Sequence, residues 1–581
     1  MKKQMAGVIM LGLVAACAAP TDEAPDSISG EGVVIYPADA IITMTSDQVV
    51  EAVAVEDTRI VAVGTRAALR AQYSNAQVDE TFTGKTIVPG FIDPHVHMAL
   101  SSLQYATPLT PPWPMATPDG MVRGLPNREA FFTRLAEIDA DASEGEPLIV
   151  YGFHNLVHGD LTKADLDGVT TDRPLVIWHY SSHDFYLNSA ALAWAGIDSS
   201  WHDRFEGVDL NADGELTGRI YEDAVGALLQ TLGPILLAPD RLSRGLEGFS
   251  GLLRAGGVTT VADLGYGVFT LPIENANIGA NWQSMDHAGY RLYLVPEHRA
   301  FNHAFGDTRV DTILDMVEGE IETPAPVLPQ VKFFTDAAFY SQTMRVSAPG
   351  YLSGQSEGTQ GLWVMQPDDI VPTIQPYWDA GLAVRIHSNG DAAQSATLDA
   401  LAELRPSAAD RAFIFEHAGL FSPEQVARAA DLGAGISAAS HYVFYLGQAY
   451  QSPLGPDRGD WILPLASLSA AGVPVTLHSD APLAPPLPLR AASVHMTRST
   501  REGAELTPSE KLSAREALEA ITIDAAYALG LEAEIGSIAP GKLADFTILD
   551  ANPLETPGEA WGEIGVWGVV LDGEKRPLAV E

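Results

Sequence analysis

The chain has 581 residues, 46% hydrophobic and 19% charged, with a net charge of −41 and one cysteine. That length exceeds what a single compact core serves, so two or three structural units are expected. The acidic excess repels phosphate backbones, argues against nucleic acid as a partner, and reads as a solubility feature of the surface.

Lys2 and Lys3 precede an apolar run, 6–16, that is too short to cross a bilayer and reads as a signal peptide. It ends in Val14-Ala15-Ala16-Cys17, which resembles the lipobox of bacterial lipoproteins, where cleavage leaves the cysteine as a lipidated N-terminus. An ordinary signal peptide with a chance cysteine is the alternative. Acyl chains on Cys17 would anchor the protein to a membrane surface. The expected location is then the bacterial cell envelope, facing the periplasm from the outer membrane. Residues 18–30 are rich in Pro, Asp, Ser and Glu and read as a tether. With Cys17 used there, no thiol remains for a disulfide, a zinc thiolate or a nucleophile, so any metal must take nitrogen and oxygen ligands.

Residues 31–85 have the short apolar runs and alternation of antiparallel strands, and the same texture returns over 536–581. The two ends are expected to form one small β-sandwich, with separate modules as the alternative. The middle, 86–535, supplies eight strand candidates: 86–97, 258–264, 291–295, 331–336, 383–388, 412–417, 434–439 and 473–480. Helical periodicity between later ones, as over 423–432, predicts parallel strands with right-handed crossovers. The fold class is therefore α/β, a (β/α)8 TIM barrel. The stretch 101–245 is too long for one connection, carries strands of its own near 148–153 and 175–180, and reads as a cap inserted after the first barrel strand.

A barrel delivers its chemistry at the C-terminal ends of its strands. Six potential metal ligands fall in or just after those runs: His95, His97, Lys332, His387, His417 and Asp480. His95 and His97 are two apart, so a strand turns both imidazoles to one face. Lys332 lies inside an apolar strand, where burial favours a neutral amine. Such an amine can take up carbon dioxide as a metal-bridging carbamate, or it can snorkel to the rim and pair with Asp336. His387 and His417 end consecutive strands and suit a second ion. Asp480 can touch a metal and accept a proton from water. His478, two residues earlier, is expected to face the same way and to tune the aspartate or bind substrate. His183 in the cap either hydrogen-bonds substrate or holds a loop. Trp178, His179, Tyr180, Phe185 and Tyr186 give the cap an aromatic face, with Trp461 and the 482–488 loop adding apolar rim, which favours a hydrophobic small-molecule substrate.

With these ligand strands, the segments His183-Asp184-Phe185-Tyr186-Leu187-Asn188-Ser189, 214–218, Gly257-Val258-Thr259 and 536–546 resemble the amidohydrolase superfamily. The resemblance, from about Val33 onward, is to its branch similar to N-substituted formamide deformylase, amidohydrolase family 3. It implies a barrel with a split β-sandwich and metal ligands from strands one, four, five, six and eight. It also implies hydrolysis of an amide, N-formyl or cyclic amide by metal-activated water, with Asp480 moving the proton. Zinc is the default cation for an imidazole-rich site, as one or two ions, with iron, manganese or nickel as alternatives. Ester or lactone cleavage, and a membrane-tethered binding protein without catalysis, are the competing readings. A homodimer is one option for assembly. The chain departs from the family pattern at Ala337, at Gln342 where arginine is expected, and at His478 where glycine is common.

Overall fold

The computed structural model describes residues 30–45, 49–143, 145–284 and 289–578; the expected signal peptide, Cys17 and the expected tether up to residue 29 lie outside them. Eight strands form the central body: β1 (Phe91–Val96), β2 (Val258–Tyr266), β3 (Arg291–Pro296), β4 (Gln330–Phe334), β5 (Ala383–Ser388), β6 (Phe413–His417), β7 (Gly435–Ala439) and β8 (Val475–His478). They run parallel in two ladders, β1 to β3 and β4 to β8. Single bridges join the ladders, Glu297 to Lys332 at one seam and Val96 to Ala481 at the other. At the second seam His97 N donates to Ala481 O (2.9 Å) and Asp480 N donates to His95 O (3.1 Å). The first and last strands therefore meet at the rim where their ligand candidates sit.

Strands covered on both faces read as continuous apolar runs instead of alternating ones, and β1, β6, β7 and β8 are buried along their whole length. This is why all eight were visible as apolar runs. The run 86–97 divides at Gly90: Thr86–Pro89 belongs to the terminal sheet and Phe91–Val96 to the barrel. A Cβ at Gly90 would collide with Thr259 of β2, so the chain can turn there only as glycine. The boundary between sheet and barrel thus falls at residue 90, not 86.

The terminal β unit is shared by both ends of the chain. Thr86–Pro89 pairs in parallel with Val33–Ile42 and antiparallel with Phe546–Leu549, which removes the alternative of separate modules. Its strands form one eight-stranded sheet, seven in a continuous order and Gln77–Val78 branching from Val33–Ile42. Strand alternation sends Val53 and Val55 into a cluster with Phe546 and Ile548, and Ala52 and Ala54 into another with Leu69 and Tyr73.

The connection from β1 to β2 begins with the helix Met98–Tyr105 and ends with the helix Pro239–Ala255. The second buries Leu242, Leu246, Phe249 and Leu253 along one stripe. The two helices touch closely, since a Cβ on Gly245 would strike the carbonyl of Ser102. The expected insertion limits, 101 and 245, fall inside these helices, so the insertion proper is 106–238. Its core is a five-stranded mixed sheet in the order Val208–Leu210, Leu216–Tyr221, Asp184–Leu187, Leu175–His179, Leu148–Phe153. The helix expected over 423–432 spans Pro423–Asp431 and starts in a capping box: Gln425 N donates to Ser422 Oγ (3.3 Å) and Ser422 N to Gln425 Oε1 (2.8 Å). Among the described residues no helix is long and apolar enough to cross a membrane.

Candidate active site

Five of the six ligand candidates meet at the barrel rim. Asp480 Oδ1 lies 3.1 Å from His97 Nε2 and 3.4 Å from His95 Nε2, and its Oδ2 lies 3.6 Å from His417 Nδ1. Lys332 Nζ is 3.5 Å from His95 Nε2. His387 stands one ring further out, its centroid 4.6 Å from that of His417, with Nε2 3.1 Å from Ala337 O. His417 (φ 67°) and Asp480 (φ 53°) both lie in the left-handed region. For non-glycine residues that costs about 1–3 kcal/mol each, strain of the kind that gathers at functional sites.

Charged groups inside the apolar strands fix these side chains from below. His95 Nδ1 donates to Glu416 Oε2 (2.7 Å). Glu416 must be a carboxylate acceptor, because its other oxygen is ion-paired with Arg385 and both side chains are fully buried. The remaining Arg385 donors reach Gln330 Oε1 (3.2 Å), Ala528 O (3.1 Å) and Pro94 O (3.2 Å). Ala528 lies near the C-terminus of the helix Ile523–Leu529, an end whose partial negative charge suits a cation. Glu416 thereby fixes the His95 tautomer and leaves Nε2 unprotonated toward Asp480, the usual service of a carboxylate behind a metal-binding imidazole.

His478 departs from expectation. Its Nδ1 is 2.7 Å from Ser437 Oγ and its Nε2 is 3.2 Å from His417 Nδ1, so it sits beneath the cavity and does not line it. Burial, with Lys332 and neighbouring imidazoles adding to it, holds His95, His387, His417 and His478 well below the ordinary histidine range and keeps them neutral. Burial also brings Lys332 down to about 8, against the pull of Glu416 and Asp480. Lys332 does not pair with Asp336, whose carboxylate instead accepts from Asn389 N (2.9 Å), Gly390 N (2.9 Å) and Arg345 N (2.8 Å).

Neutral imidazoles and a carboxylate are a donor set for a divalent transition metal. Two groups, His95/His97/Asp480 and His95/His417/His478, hold their donor atoms within 4.8 Å of one another. The arrangement fits such an ion.

Above this floor lies a cavity of about 390 Å³ lined by barrel and cap together. His97, Lys332, His387, His417 and Asp480 face it, and so does His183 of the cap. His183 Nδ1 is 3.1 Å from Glu222 Oε2, and the pairing of Asp184 with Tyr221 sets the two residues side by side. Burial lowers the His183 affinity for protons, but Glu222 outweighs it and the net shift is upward. Glu222 (φ 44°) is strained, as is Ser182 (φ 66°) just before His183. Of the expected aromatic face, Trp178 and Phe185 line the cavity, stacked with centroids 5.3 Å apart. His179 and Tyr186 point to the other face of the cap sheet by strand alternation, Tyr180 packs against Tyr340 and Tyr445 of the barrel loops and donates to Leu483 O, and Trp461 is not part of the lining. Gln342 is buried in the left-handed region, and its amide has no hydrogen-bond partner among the described residues.

Sequence reasoning missed Arg385, Glu416 and Glu222. The first two left a signal, being opposite charges inside neighbouring apolar strands. Glu222 left none until the cap hairpin placed it next to His183.

These features agree with comparisons to known proteins. The model of the amidohydrolase family matches residues 82–575. The chain is 28% identical over 544 residues to an N-substituted formamide deformylase of Arthrobacter pascens, covering 90% of this chain and 94% of that protein. It is 27% identical over 516 residues to the protein LONG AFTER FAR-RED 3 of Arabidopsis thaliana, covering 86% and 84%. Among solved structures, an uncharacterized metal-dependent hydrolase from Pyrococcus horikoshii superposes with a TM-score of 0.66 at 18% identity, covering 90% of this chain and 99% of that one. The fold and the metal-capable rim define a metal-dependent hydrolase of the barrel class. The chain belongs to the amidohydrolase family and is a hydrolase acting on carbon–nitrogen bonds.

Proposed function

We propose that this protein hydrolyses an amide, N-formyl or cyclic amide carrying a hydrophobic group. The observation that carries the reading is Asp480, whose carboxylate touches three imidazoles at the floor of a largely apolar cavity. His95, His97, His387, His417 and Asp480 would hold one or two cations, zinc by preference, and a carbamate on Lys332 would add oxygen ligands to that set. Such a cation, when bound, supplies Lewis acidity that lowers the pKa of water and polarises a carbonyl.

The chain's own groups do the rest. Asp480 accepts the proton of the attacking water at its carboxylate and returns it to the leaving nitrogen as the C–N bond breaks. His183, held through Nδ1 by Glu222, turns Nε2 to the cavity and donates to the substrate carbonyl oxygen. Trp178, Phe185, Leu229 and Phe269 take the hydrophobic part and exclude water. The N-substituted formamide deformylase relative supports formamides as the first probes.

The test is a panel of N-formyl, N-acyl and ester compounds with zinc and bicarbonate added, run beside metal analysis. Asp480→Asn is expected to lower kcat/KM on the best amide by about 100-fold or more. Full activity in that variant would remove the proton shuttle, and turnover of esters alone would replace the amide reading. We also propose lipid anchoring through Cys17; Cys17→Ser should move the protein from the membrane fraction to the soluble one.

A further inference from the structure

One cation of the cavity wall is used by no step above. Arg299 is the second residue of the helix His298–Phe305. Its Nε donates to Glu297 Oε1 (2.8 Å), and its guanidinium lies 4.2 Å from the centroid of the Phe334 ring. Glu297 is itself fixed, since it is 2% exposed and its other oxygen accepts from Ala300 N (2.8 Å) as the helix cap. One edge and one face of the guanidinium are thus held. Its terminal nitrogens make no hydrogen bond among the described residues, and the side chain remains 55% exposed, at the mouth of the cavity.

The Phe334 ring also links this group to the site floor. Lys332 Nζ lies 5.0 Å from the ring centroid, and the His387 ring lies 5.0 Å away. The guanidinium therefore stands about one aromatic ring from the ligand cluster. The other acids of the cavity wall are already occupied: Glu222 by His183 and Thr343, Asp263 by the N–H groups of Met98 and Gly265, Asp480 by the histidines. A guanidinium held at Nε, with both terminal nitrogens unused beside the Phe334 ring, matches a carboxylate, which it grips through two parallel hydrogen bonds.

We propose that Arg299 is a substrate-binding residue for a carboxylate, and that the preferred substrate is an amide bearing a carboxylate a few bonds from the scissile carbonyl. This deepens the reading above and rests on it.

Two matched pairs test it: N-formylphenylalanine against N-formylphenethylamine, with the carboxylate on the amine side, and N-benzylsuccinamic acid against N-benzylbutyramide, with it on the acyl side. The expected result is a kcat/KM ratio of acid to neutral partner of about tenfold or more in at least one pair, the worth of one charge-assisted contact. That ratio should fall to about one in Arg299→Met, which keeps the packing on Phe334, and to an intermediate value in Arg299→Lys. A wild-type preference for the neutral member of both pairs, or an unchanged ratio in Arg299→Met, overturns the proposal and leaves Arg299 as the ion-pair partner of Glu297. Should no amide turn over at all, the hydrolytic reading fails by itself. Arg299 is then judged by calorimetry of 3-phenylpropionate against 3-phenylpropanamide on the zinc-supplemented protein. Tighter binding of the acid that Arg299→Met abolishes supports the carboxylate site, and equal binding to both proteins refutes it.

Discussion

Replacing Glu416 by glutamine removes one negative charge from the barrel interior and little else. The amide keeps nearly the same volume and can still accept a hydrogen bond. Arg385 keeps its bonds to Gln330, Ala528 and Pro94, all neutral acceptors at 3.1–3.2 Å, but loses its one counter-ion among the described residues, at zero exposure. Breaking a buried pair by removing one partner destabilises by about 3–5 kcal/mol, because the surviving charge is left in a low-dielectric interior. The three remaining acceptors place Glu416→Gln near the lower end of that range. Removing both charges, as in Arg385→Met/Glu416→Leu, should recover most of the loss, since apolar replacements of similar volume often match a buried ion pair. Urea unfolding of the wild type, Arg385→Met, Glu416→Leu and the double gives the coupling energy directly. The same substitution weakens the hold on His95, so zinc affinity should fall about 10- to 100-fold. A loss below about 1 kcal/mol in Glu416→Gln, or a double variant no more stable than the singles, would refute the account of a charge pair that must be broken or removed as a unit.

Acid should loosen the cap. Burial holds His158 down at about 4 and pushes His154 and His179 well below the ordinary 6.5. A folded pKa below the unfolded one means that unfolding takes up protons, so this stability is full above about pH 6.5 and is lost as pH falls toward 4. His158 alone accounts for on the order of 3 kcal/mol by pH 4. Thermal melts between pH 7 and 4 should show the decline, and His158→Gln should flatten it. Because Lys332 titrates near 8, its neutral, carbon dioxide-reactive form drops roughly tenfold for each pH unit below that value. Zinc-depleted protein given zinc and bicarbonate should therefore regain activity markedly faster at pH 8.5 than at 6.5, with a carbamate carbon signal from labelled bicarbonate; equal rates with no signal would leave Lys332 an amine. Glu222→Gln should lower kcat/KM about tenfold and shift the pH profile through His183, whereas Thr343→Val, which loses a 3.3 Å contact to the same carboxylate along with bonds to Ala338 and Ser341, should leave the profile in place.

The order of the strands and the residues that reach the rim were readable along the chain because both are local properties. A strand buried on two faces must be an apolar run, and a residue at its downstream end inherits the rim position whatever the rest of the chain does. His95, His97, Lys332, His417 and Asp480 needed only that rule to be set together. Gly90 and the limits of the cap escaped it, since apolar runs do not reveal where one sheet ends and the next begins; a collision with Thr259 on another strand decides that. His478 was placed on the right strand but with the wrong neighbour, because alternation gives a face and not the partner waiting there. Arg385, Glu416 and His95 come from three strands, with Glu416 lying 321 positions beyond His95 in the chain. Their charge balance, the His183–Glu222 pair and the outlook of Arg299 into the cavity arise from contacts between distant segments. Sequence therefore determined which chemical groups stand at the mouth of the barrel. Only the folded chain decided which of them are charged, which are held in place, and which are left free to meet a ligand, because those properties belong to pairs of groups brought together by packing.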